Sequence, residues 1–80
     1  MNSDSYNLTA GLQRIVDEAA DWVAAPTTVY PQAWFTIRNW AIDALDRSRN
    51  GVPVEDDEYR DILSKLRSWR GQEGAAQFLV

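Results

Sequence analysis

Apolar residues recur along this chain at spacings of three and four, in three separate runs. Leu8, Leu12, Ile15, Val16, Ala19, Trp22 and Val23 fall within about 120° of one another on a helical wheel, with Gln13, Arg14, Asp17, Glu18 and Asp21 on the opposite side. This spacing predicts an amphipathic helix over 8–24, opened by Asn7 or Thr9 as a capping residue and stopped before Pro26. Gly11 weakens its first turn by about 1 kcal/mol relative to alanine, so fraying is expected there.

The second run predicts a helix over 31–49, with Pro31 at the first helical position. Tyr30, Ala33, Trp34, Ile37, Trp40, Ala41, Ala44 and Leu45 form a wide stripe. Phe35 and Ile42 fall outside it, seven residues apart, with Arg38 between them and the main stripe. A helix apolar over more than half its circumference is expected at the centre of a small fold. Asn50-Gly51 supplies a left-handed stop, and Pro53 prevents continuation.

The third run, Tyr59, Ile62, Leu63, Leu66 and Trp69, predicts a helix over 55–70. Glu55, Asp56, Asp57 and Glu58 suit the positive end of its dipole, and Lys65, Arg67 and Arg70 the other. Val54 and Tyr59 are spaced for a hydrophobic staple, while Asp56/Arg60 and Asp61/Lys65 have the favourable four-residue orientation for ion pairs. Gly71 is read as the stop, leaving 71–80 as a tail that ends in Phe78, Leu79 and Val80. Three helices joined by short connections stack as antiparallel neighbours. The expected fold is therefore all-α, a small antiparallel three-helix bundle with a short C-terminal tail, in one domain spanning 1–80.

Length and composition narrow the functional classes more than they suggest one. Eighty residues support a single core. With no cysteine and no histidine, disulfides, thiol nucleophiles, imidazole bases and most zinc or copper arrangements are excluded. No serine or threonine stands in a recognisable nucleophile motif beside a remaining base. No catalytic residue, metal ligand or cofactor site is assigned, and an enzyme is the poorest reading. Twelve acidic residues against eight basic ones, a net charge of −4, argue against direct nucleic-acid binding, which depends on clustered cations. No run approaches a membrane span and the polar first residues do not resemble a signal peptide, so a cytoplasmic protein is expected.

What remains is action by contact. Four tryptophans together with Tyr30, Tyr59, Phe35 and Phe78 are more than three short helices readily enclose, and exposed tryptophan and tyrosine are enriched in binding hot spots. The candidate partner-binding residues are the ridge Phe35, Arg38 and Ile42, followed by Trp40 and Phe78. The expected partner is another protein or protein complex. Small acidic domains without cofactors serve bacteriophages and mobile elements as stoichiometric inhibitors, anti-CRISPR proteins among them; the analogy is one of size and composition.

Two alternatives stand beside this reading. Glu55, Asp56, Asp57, Glu58 and Asp61 form the densest charge in the chain and suggest an acidic mimic that occupies a basic nucleic-acid groove. The same ridge could also join two copies of the chain as a self-assembling subunit.

Overall fold

The computed structural model describes residues 3–78, with side chains described for 8–76. It contains three helices, α1 (Ser3–Ala24), α2 (Pro31–Arg49) and α3 (Asp56–Phe78), and no strand among the described residues. The all-α bundle expected from the periodicity is present. Its long axis is 48 Å against 17 and 15 Å across, the shape of helices lying side by side.

Side-chain contacts give the order of the helices. Early α1 meets late α2, where Thr9 and Ser48 hydroxyls lie 2.7 Å apart and Arg49 donates to Gln13 Oε1 at 2.7 Å. Late α1 meets early α2, where the Trp22 and Trp34 rings stack at 5.0 Å. Early α3 returns to late α2 through Arg47 and Glu58, and late α3 to early α2 through Glu73 and Trp34. Helices adjacent in sequence therefore run in opposite directions.

The buried core consists of Leu12, Ile15 and Ala19 from α1, Trp34, Ile37, Ala41, Ala44 and Leu45 from α2, and Ile62 and Leu66 from α3. Every one of these residues lies on a stripe marked by the periodicity. Burying each large aliphatic side chain stabilises the fold by about 1.5–3 kcal/mol. Ala19, Ala41 and Ala44 are fully enclosed, and small side chains let backbones approach closely; α1 and α2 are the most closely apposed pair.

The helix ends follow local chemistry at two places. After α2, Gly51 adopts φ 78°, Val52 N–H donates to Arg47 O at 2.9 Å and Gly51 N–H to Ser48 O at 3.2 Å, a Schellman closure. At the start of α3, Val54 and Tyr59 occupy the two staple positions and both pack against the core.

Two boundaries differ from those expected. α1 begins at Ser3, ahead of its first apolar position, and continues through Gly11. The reason for that glycine lies across the bundle: a Cβ at Gly11 would sit 2.9 Å from Cζ of Tyr59, so the absent side chain admits the ring of α3. The larger correction concerns the C-terminus. Gly71 does not end the third helix, which runs on through Gly74 to Phe78, so most of the expected tail is helical. Lys65, Arg67 and Arg70 consequently lie inside α3 rather than in its last turn. Helical glycine costs about 1 kcal/mol, and here a contact made by Glu73 offsets it, as described below.

Candidate functional site

Phe35 and Ile42 sit two turns apart on α2, on a side that the other helices leave open. Phe35 is 48% exposed and Ile42 36%. Val23, expected in the core stripe of α1, is also 36% exposed, and it lines a shallow hollow with Pro31, Gln32 and Phe35. Arg38, one turn before Ile42, is half-buried and makes no ion pair or hydrogen bond among the described residues. These four side chains give an apolar strip along the α1–α2 seam, with one cation in it that no described carboxylate pairs with.

The other candidates fall elsewhere. Trp40 faces α3 rather than the strip: its indole N–H donates to Glu58 Oε2 at 3.1 Å, and its ring lines a groove with Trp69. Phe78 is the last residue of α3, and its side chain lies outside the described residues, as do Leu79 and Val80.

The acidic run divides. Glu55, Asp56, Asp57 and Asp61 are exposed. Glu58 turns inward and receives Arg47 Nη1 at 3.0 Å in addition to Trp40. The Arg47 fork holds its carboxyl below the usual carboxylate range, against burial, with the indole N–H of Trp40 assisting. Asp56/Arg60 and Asp61/Lys65 do not form the ion pairs expected of them; Arg47 instead pairs with Asp43 on its own helix and with Glu58 on the next. Among the described residues no three acidic side chains group closely enough to hold a metal ion.

A second inter-helix clamp joins α1 to α3. Arg70 donates two bonds to Glu18, at 2.9 and 2.7 Å, and Trp22 Nε1 donates to the same carboxylate at 3.2 Å. The Arg70 fork is the main reason that the Glu18 carboxyl lies low; burial opposes it and the Trp22 indole supports it.

The residue that sequence reasoning missed is Glu73. It is fully buried, the only buried charged side chain among the described residues. Its carboxylate accepts Val29 N–H at 3.0 Å, Tyr30 N–H at 3.2 Å and Trp34 Nε1–H at 2.8 Å. Tyr30 is the N-cap of α2, and no side chain of its own caps that end. Glu73 therefore places an anion at the positive pole of α2 from a distant helix. Burial pushes its carboxyl up, but the two backbone donors and the Trp34 indole outweigh it, and the net displacement is downward. Nothing in Gly-Gln-Glu-Gly distinguishes Glu73 from a solvated glutamate; its partners lie more than 38 positions earlier in the chain.

Comparison of the chain with protein-family models, with curated proteins and with solved structures finds no match. The functional reading accordingly rests on the surface chemistry of this bundle alone.

Proposed function

We propose that the protein works by contact, binding another protein through the Phe35, Arg38 and Ile42 strip with Val23 at its end, and performing no chemistry of its own. The observation that carries this reading is the exposure of Phe35, 48% open on a bundle that encloses Trp34 one position earlier completely. An aromatic held on a rigid helix loses little freedom on binding, phenylalanine is enriched at protein interfaces, and the arginine beside it is among the residue types most enriched in hot spots. In this reading the module covers a working surface of a larger assembly and so inhibits or regulates it.

The test is retention from host lysate on the immobilised protein and on its Phe35→Ala/Ile42→Ala variant. A protein held by the first and released by the second supports the strip as the site; equal retention on both removes it. Ionic strength separates the acidic alternative. Binding through Glu55, Asp56, Asp57 and Asp61 weakens steeply as salt rises, whereas binding through the strip hardly changes. Light scattering on the pure protein and on the double variant decides whether the occupant is a second copy of the chain.

A further inference from the structure

The four tryptophans are not treated alike by the fold. Three indole N–H groups end on glutamates: Trp22 on Glu18, Trp34 on Glu73 and Trp40 on Glu58, at 3.2, 2.8 and 3.1 Å. The fourth, Trp69, has no hydrogen-bond acceptor among the described residues. Every buried side-chain nitrogen and oxygen among them has a partner, so the Trp69 N–H opens to solvent. One neighbour of its ring is Tyr30, at 5.2 Å and tilted by 52°.

Trp69 lines a groove of about 280 Å³ at the seam of α2 and α3, whose walls include Ala33, Ile37 and Trp40. Thr36, also on the wall, spends its hydroxyl proton on Gln32 O at 3.0 Å. The remaining wall residue is Lys65, the chain's only lysine. It lies one helical turn before Trp69, is exposed, and makes no ion pair with Asp61 or any other described carboxylate. Among the described residues no acidic side chain lines the groove. The walls of this largely apolar trough thus include two indoles and two side chains, Trp69 and Lys65, whose donors no described acceptor uses.

We propose that this groove binds a small aromatic monocarboxylate. Its carboxylate accepts from the Lys65 ammonium and the Trp69 indole N–H, as Glu18 and Glu58 each accept from an arginine and an indole elsewhere in the same fold. Its ring lies along Trp40 and Ala33, the partly exposed apolar wall residues beside Trp69, where offset stacking and apolar burial act together. The volume suits one ring on a short chain, and a single ammonium on a protein of net charge −4 favours a monoanion over a phosphate polymer. The site is on the side of α2 facing α3 and is independent of the Phe35–Ile42 strip. Affinity for so small a ligand is expected in the ~millimolar range.

The four indole N–H signals of the ¹⁵N-labelled protein read this directly. The probes are 3-phenylpropionate and its uncharged amide, titrated into the intact chain and into Lys65→Met, which keeps the stem and removes the charge. Trp69→Phe serves only to assign the fourth signal, and backbone correlation assigns it should that variant not fold. The expected result is a saturable shift of the Trp69 signal with the acid, with Trp22 and Trp34 unmoved. Roughly fivefold weaker binding is expected for the amide and for Lys65→Met. A Trp69 signal unmoved up to ~10 mM, which is past the expected range, overturns the proposal. So do equal curves for acid and amide, or an unchanged curve in Lys65→Met.

Discussion

Glu73 and Trp34 meet at 2.8 Å, carboxylate to indole N–H, across 39 positions of chain, and both side chains are fully buried. That bond ties the last third of α3 to the first turn of α2. Because the same carboxylate takes the Val29 and Tyr30 N–H groups, three donors lose their acceptor together if it is altered.

Glu73→Gln therefore destabilises far more than its shape suggests. The amide keeps one acceptor oxygen and turns an NH₂ group toward donors, leaving buried groups unsatisfied. The expected loss is about 2–4 kcal/mol, a fall in melting temperature of more than about 10 °C, read by thermal circular dichroism. An unchanged melting temperature would show that this contact does not hold the C-terminal turns in place.

Acid should weaken the fold through three carboxyls. Glu18, Glu58 and Glu73 all lie below the usual glutamate range in the folded state. Their contribution is thus complete above the unfolded value, near pH ~4.3, and is lost as pH falls through the depressed folded values. With no histidine present, no side chain of ordinary pKa titrates between about pH 5 and 8. The urea midpoint is expected to be flat from pH 6 to 8 and to fall below about pH 4.5, with a shallower fall in Glu73→Gln. A midpoint that rises on acidification contradicts the direction given to all three groups.

The open strip and the core separate cleanly by substitution. Phe35→Ala and Ile42→Ala each change stability by no more than about 0.5–1 kcal/mol, since both side chains already face solvent. Ile62→Ala, at a fully buried position, costs about 2–5 kcal/mol. Denaturant midpoints that ranked Phe35→Ala beside Ile62→Ala would mean that the strip is covered in solution.

Gly11 and Tyr59 form a testable pair. Gly11→Ala gains about 1 kcal/mol of helix propensity but drives its methyl into the Tyr59 ring, so the net effect is destabilising. In a Tyr59→Leu background the clash disappears and the same substitution becomes stabilising. Equal effects in both backgrounds would sink the steric account.

The glycines of α3 behave oppositely. A Cβ at Gly71 or Gly74 meets nothing within 4 Å, and neither residue has positive φ. Gly71→Ala and Gly74→Ala should each stabilise by about 0.5–1 kcal/mol, seen as a higher melting temperature. A loss of stability at both would place the helix end at Gly71 after all.

Sequence by itself determined the elements whose causes are local. The 3.6-residue recurrence placed all ten core side chains, Pro31 and Gly51 marked the ends of α2, and the off-stripe position of Phe35 and Ile42 foretold their exposure. Tertiary structure decided whatever depends on partners distant along the chain. Gly71 looked like a stop because a glycine in isolation favours one, yet a buried carboxylate two residues later, bonded to the start of another helix, carries α3 past it. Glu58 looked like its exposed neighbours until Arg47 and Trp40 drew it inward. Periodicity records which face of a helix avoids water; it holds no record of which acceptor a buried or half-buried donor will find, because that is set only when the helices pack.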